Sequence, residues 1–261
     1  MRSSGDFHAE VRDYGQRTYR GLIGAHDLCK AWVRVRETDL FIMTSVPIGQ
    51  LAHEAAVEAR SQVEGYIERD PGFLTSFVPR EAPPEAPLIV KCMAKAAKRA
   101  GVGPMAAVAG AIAEWVGRKL LERSPEVIVE NGGDIFLASH RRRIIGVFAG
   151  DSPFTGRIGM EFEGDDVPMG VCTSAGTVGH STSLGRADAA IVIARDVAFA
   201  DACATVLGNL VQSEEDVQRA AEYARNIEGI EGALVIKGKS LAAFGNVKIV
   251  RTELPAFPAR P

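Results

Sequence analysis

The sequence predicts an α+β protein, a mainly antiparallel sheet with packed helices in two intimately associated halves. Two observations carry this reading. Between residues 50 and 123 apolar side chains recur at helical spacing, whereas from 127 to 173 short extended runs follow one another across turn signals. Strands joined by such short connections pair antiparallel, because a parallel pair needs a crossover of about a dozen residues or more. No short-period repeat is present, which excludes solenoids and propellers.

The elements follow in order. Residues 1–12 read as a frayed tail. An antiparallel pair is expected at 30–36 and 40–46, joined at Glu37-Thr38-Asp39, because Trp32, Arg34 and Arg36 alternate with Val33 and Val35. Residues 50–68 form the clearest early helix, with Leu51, Ala55, Ala59, Val63 and Ile67 on one face and a stop at Asp70-Pro71-Gly72. Five prolines fall between 71 and 87, so this is the candidate internal boundary in a chain otherwise read as one domain over 1–261. Helices follow at 88–100, closed by Gly101, and at 104–123, where Pro104 suits a first turn. The second is rich in Ala and Gly and can lie close to a neighbouring backbone or ligand. Strands are expected at 127–130, 134–138, 143–148, 157–162, 169–173 and 189–194. A helix covers 198–210, and another starts at Ser213 with Asp216 three residues on, as in a capping box. A meander at 233–237, 241–244 and 247–251 closes the chain.

Composition narrows the function classes. A net charge of −3 and a pI near 6.0 give no basic field for nucleic acid or for an anionic membrane surface. The cysteines, Cys29, Cys92, Cys172 and Cys203, form no C-x-x-C pair, which argues against a zinc knuckle and a disulfide framework. The chain shows neither an apolar run of signal-peptide length nor a longer one that would span a membrane, so a soluble, cytoplasmic protein is expected. Homodimerisation fits such a sheet-rich chain.

The stretch most apt for chemistry is 170–188, where glycines and hydroxyl side chains surround His180. Such a composition lets backbone amides approach an anion and supplies donors to hold it. Thirteen residues on, Asp201 and Thr205 stand one helical turn apart and offer oxygens to a hard cation. On the 198–210 helix they face away from Phe199, Ala202, Cys203, Val206 and Leu210. They share their face with Ala204 and Gly208, which points to something packed close rather than to open solvent. His180 can take a proton from an attacking hydroxyl or donate to a phosphate, and an ordinary turn histidine is an equal alternative. Asn131-Gly132-Gly133-Asp134 suits a flat ligand, or simply a tight hairpin. Cys172 is either a buried small hydrophobe or a reactive thiol, the latter implying thiol or sulfur-transfer chemistry. The basic run Arg141-Arg142-Arg143 reads most simply as a solvated turn, with an acidic partner as the alternative.

Taken in order, Val129-Glu-Asn-Gly-Gly-Asp-Ile135, Thr173-Ser-Ala-Gly176, His180 and Ala200-Asp-Ala-Cys-Ala-Thr205 resemble the ApbE family of FAD:protein FMN transferases. The resemblance covers about residues 104–250. It implies an ApbE-like fold, and it implies Asp201 and Thr205 as Mg2+ ligands with His180 beside the reacting centre. Asn131, Gly132, Gly133, Thr173, Ser174 and Gly176 would line the pocket of a flavin nucleotide, FAD or FMN. The implied activity is transfer of FMN from FAD to a Ser or Thr of an acceptor protein. Two departures leave a non-catalytic flavin or metabolite binder as the alternative. Ala109 stands where the family usually has a lysine before Gly110, and the loop after His180 lacks the family's proline.

Overall fold

In the computed structural model, which describes residues 18–176 and 184–252, the chain stacks in three layers. A 3-10 turn at Thr18–Leu22 leads to the hairpin of β1 (Cys29–Val35) and β2 (Thr38–Thr44). Helices α1 (Gly49–Ile67), α2 (Gly72–Thr75), α3 (Leu88–Ala100) and α4 (Val108–Leu121) follow. Next come β3 (Val127–Asn131), β4 (Asp134–Ser139), β5 (Arg143–Gly146), β6 (Ile158–Phe162), β7 (Asp165–Ser174) and β8 (Ala189–Ala194). The chain closes with α5 (Val197–Asn209), α6 (Asp216–Tyr223), β9 (Ile230–Lys237), β10 (Ser240–Gly245) and β11 (Ile249–Arg251).

An eight-stranded sheet runs β1-β2-β3-β4-β7-β8-β9-β10, and a three-stranded sheet runs β11-β6-β5. The pairings within both are antiparallel, so the α+β class is realised with the strand direction the short turns predict. Successive side chains of a strand point to opposite faces, and the large sheet buries both. Ile42, Val129, Phe136, Cys172 and Val192 enter the core beneath the helices. Met43, Ile128, Leu137, Val171 and Ile193 enter a second core against Ile145 and Met160 of the small sheet. This is why β8 is apolar without alternation, being buried at every position.

Local chemistry explains most element ends. Gly101 closes α3 at φ 77°, a left-handed cap that glycine adopts without strain. The helix expected from Pro104 begins as a 3-10 turn over Pro104–Ala107 and becomes α-helical at Val108. The Asp216 carboxylate reaches back to the amides of Gln212 and Ser213, half of the predicted capping box, although α6 starts only at Asp216 itself. In the proline-rich stretch, α2 buries Phe73 edge-on against Tyr66, ring centroids 5.0 Å apart. In the basic run Arg141 and Arg142 are exposed, as expected of a solvated turn, and only Arg143 departs from that reading. Arg143 is buried and pairs with Glu126 and Asp27 where the chain passes from one sheet to the other. Among the described residues no single helix is long and apolar enough to cross a membrane; α3 and the Pro104–Leu121 segment qualify only as a pair bent by 106°.

Candidate functional site

The site is built where α4 and α5 cross. A Cβ on Gly110 would lie 2.6 Å from the Val197 carbonyl oxygen and 2.8 Å from Asp201 Cβ, so only glycine lets the two helices approach this closely. Each helix then satisfies amides that the other's first turn leaves unpaired. Asp201 Oδ2 on α5 accepts from the Gly110 amide of α4 at 2.9 Å and also draws on the Ala109 amide. In return Glu114 Oε2 on α4 accepts from the Val197 amide at 3.1 Å. Asp201 therefore places negative charge at the positive end of α4.

The β3–β4 hairpin comes up against the same crossing. Gly132 and Gly133 take φ of 70° and 109°, which the two central residues of a tight hairpin require. Asn131 Nδ2 donates to the Ala109 carbonyl at 3.0 Å, tying the hairpin to the first turn of α4. The Gly133 amide donates to Glu130 Oε1 at 2.8 Å, and the buried Glu130 is held by Arg20 Nε at 2.7 Å. Arg20 also reaches Asp39. This chain of contacts braces the turn from the far side. Arg20→Ala is expected to raise the hydrogen-exchange rate of the Gly133 amide about ten-fold, the equivalent of about 1.4 kcal/mol in local opening, with little change at the α6 amides. An unchanged Gly133 rate would show that the brace does not hold the turn.

Behind the turn, Asp134 is buried, and its Oδ1 has no hydrogen-bond partner among the described residues. The Thr173 amide and the Cys172 thiol approach the same carboxyl. Burial, and then the charge of Asp201, push the Asp134 carboxyl well above the usual carboxylate range. Burial likewise raises Asp201 to about 7, although the Gly110 and Ala109 amides pull it back. Among the described residues neither carboxyl has a cationic partner to offset its burial. Cys172 is fully buried, and burial together with these two acids pushes its thiol well above the ordinary range. That is the reverse of the setting in which a thiolate reacts, so the thiol reading loses its footing.

The residues singled out in the sequence fall into three groups. Asn131, Gly132, Gly133 and Thr173 lie together, with a Cβ on Gly133 3.5 Å from the Thr173 carbonyl oxygen, and the Ala109-Gly110 turn links them to Asp201. Thr205, partly exposed, stands one turn further along α5. Ser174 and Gly176 lie toward the other end of that helix. A Cβ on Gly208 would sit 3.3 Å from Ser174 Oγ, one on Gly185 would strike the Gly208 carbonyl oxygen, and one on Gly176 would strike that of Gly185. These glycines serve close packing of the chain flanking residues 177–183. His180 lies outside the described residues. Sequence reasoning passed over Asp134 as a site residue, and it missed Glu114 and the Arg20–Glu130 brace.

Residues 22–232 match the family described as AbpE bacteria. The chain belongs to this family. A UPF0280 protein of Methanosarcina acetivorans is 43% identical over 233 residues, which cover 86% of this chain and 90% of its own. A UPF0280 protein of Methanopyrus kandleri is 42% identical over 220 residues, covering 82% and 89%. Among solved structures, the apo form of the flavinyl transferase ApbE of Pseudomonas stutzeri matches with a TM-score of 0.55 at 14% identity, over 87% of this chain and 94% of that one. A mutant of the flavin transferase ApbE of Vibrio cholerae gives 0.53 at 13% identity, over 87% and 97%. At these identities the likeness establishes the ApbE fold.

Within this AbpE family member the residues suit a hard cation better than a soft one. Asp201 and Thr205 offer oxygens, and the unpartnered Asp134 Oδ1 is a further one. Among the described residues no group of three or more His, Cys, Asp or Glu side chains is set to hold a metal ion. A cation here would therefore need ligand oxygens to complete its shell, as magnesium does when it keeps one or two carboxylates and takes the rest from phosphates and water.

Proposed function

We propose that this protein binds a flavin nucleotide through its phosphates and magnesium, and transfers FMN from FAD to a serine or threonine hydroxyl of an acceptor protein. The observation that supports the reading is a pair of acids, Asp134 and Asp201, that meet no counter-charge among the described residues, at a helix crossing joined by the Asn131–Gly133 turn. Asp201 and Thr205 would hold the metal. Magnesium, when bound, would neutralise pyrophosphate charge as it builds on the leaving AMP. The Asn131-Gly132-Gly133 turn and Thr173 would lie along the nucleotide, with backbone amides free of side-chain bulk at the glycines. His180 would take the proton of the attacking hydroxyl as its oxygen bonds to the FMN phosphorus and the bond to the AMP oxygen breaks.

The test is AMP release from FAD in the presence of magnesium and a flavoprotein acceptor bearing a Ser or Thr site, with flavin remaining covalently attached to the acceptor after denaturation. No AMP release with any acceptor would end the transfer reading. A binder without turnover is favoured by Ala109, whose backbone is held by Asn131 and Asp201 and whose side chain brings no positive charge to the phosphates. Thermal stabilisation by FAD with no AMP release would decide for that second reading.

A further inference from the structure

Asp134 has a feature that the hairpin alone does not explain. A buried carboxyl oxygen without a partner forfeits the solvation of a polar group with nothing in return, and such groups in folded proteins call for an unseen ligand or a mechanistic use. Among the described residues no cation acts on either acid, and the arginines of the adjoining elements are engaged elsewhere. Arg20 is taken up by Glu130 and Asp39, Arg118 by Glu114, and Arg99 by Asp196 and the face of Phe199. Two acids are left at the crossing, one from the first position of β4 and one from α5. The backbone leading into Asp134 is held as well. The glycine turn fixes the backbone before it, Asn131 ties that turn to α4, and the Arg20–Glu130 brace holds Gly133. Rigid placement of an unsatisfied oxygen on regular elements is what a ligand position needs.

We propose that Asp134 is a ligand of the divalent cation, supplying through Oδ1 the second carboxylate oxygen beside Asp201. The inference rests on the metal site proposed above and adds to it a residue from the hairpin. It would give the Asn-Gly-Gly-Asp segment two tasks, the glycines leaving room for the nucleotide and the aspartate helping to hold the metal. Two carboxylates and a hydroxyl leave the remaining positions of a six-oxygen shell to water and phosphate, the division magnesium prefers.

The test uses Mn2+ as the probe, titrated into the metal-free full chain with and without FAD and followed by the loss of the free-ion EPR signal. Asp134→Asn and Asp201→Asn are each expected to weaken Mn2+ binding at least ten-fold while the proteins melt cooperatively. If the amide at 134 does not fold, Asp134→Ser, which leaves room for water, is read in the same way. Binding by the Asp134 variant within two-fold of wild type, with binding lost in Asp201→Asn, overturns the proposal and leaves the Asp201 site standing. Binding lost in Asp134→Asn but kept in Asp201→Asn and Thr205→Ala overturns the metal site proposed above and the pairing of Asp134 with Asp201. No Mn2+ binding by the wild-type chain under either condition overturns both.

Discussion

Replacing Asp201 with alanine is expected to abolish magnesium-dependent AMP release from FAD. The loss should exceed the about 10- to 100-fold that follows removal of an outer-shell partner of a metal, because in the proposed site Asp201 is a direct oxygen ligand. Alanine also removes the acceptor of the α4 amides, at a cost of about 1 kcal/mol, so loss of activity in that variant alone would mix two causes. Asp201→Asn separates them. The amide keeps an oxygen for the Gly110 and Ala109 amides and drops the charge, so it should fold as well as wild type and still release no AMP. An asparagine variant with wild-type turnover would assign Asp201 to helix capping alone.

The same residue gives the metal-free protein a pH dependence of definite sign. Burial holds Asp201 at about 7 against an ordinary value of 3.8, so the folded state binds this proton more tightly than the unfolded one. Its contribution to stability is therefore fully present below the ordinary value, falls as pH rises toward 7, and is flat above that. Three pKa units correspond to about 4 kcal/mol, a ceiling here because the side chain keeps partial contact with water. In EDTA the melting temperature of wild type should drop between pH 5 and 8, magnesium should restore it at pH 8, and Asp201→Asn should show a flatter profile. A wild-type profile as flat as that of the asparagine variant would mean that Asp201 ionises normally in the fold.

Much of this arrangement was legible because local chemistry dictates it. Asn131-Gly132-Gly133-Asp134 can hardly be anything but a tight turn, since both centres need positive φ. Ala204 and Gly208 beside Asp201 announced a close neighbour, and α4 and the end of β7 are that neighbour. The Asp-to-Thr spacing on one helix face is also a local property. The reciprocal caps were not legible, because Asp201 and Glu114 act on amides 91 and 83 residues away and no sequence pattern encodes a partner at that distance. Asp134 was hidden for a related reason. As the last residue of a glycine turn it looks like ordinary turn chemistry, and only the packing of α4 and α5 on the sheet, with β7 beside β4, makes it a buried acid. Two glycines of 170–188 also have a packing role that their composition did not reveal. Gly176 and Gly185 carry the composition of an anion cradle, yet each lies where a side chain would strike the backbone of a neighbouring segment.

Gly110→Ala should be the most damaging single methyl group in the site. Its Cβ would meet the Val197 carbonyl oxygen at 2.6 Å and Asp201 Cβ at 2.8 Å. Neither can turn aside as the tip of a long side chain would, since one is backbone and the other is fixed to it. The helices must separate, and overpacking of this kind costs about 1–3 kcal/mol, with the upper end expected against such rigid obstacles. The separation also stretches the 2.9 Å bond from the Gly110 amide to Asp201 and shifts Ala109, whose carbonyl holds Asn131. Activity and metal binding should therefore fall further than the stability loss explains. Gly65→Ala in α1 is the matched control, a helical glycine with nothing within 4 Å of the new methyl group. It should stabilise by about 0.5–1 kcal/mol and leave activity unchanged. If the two variants melt alike, the helix crossing yields more easily than its contacts imply, and the geometry that sets Asp201 against Asp134 is not fixed by Gly110.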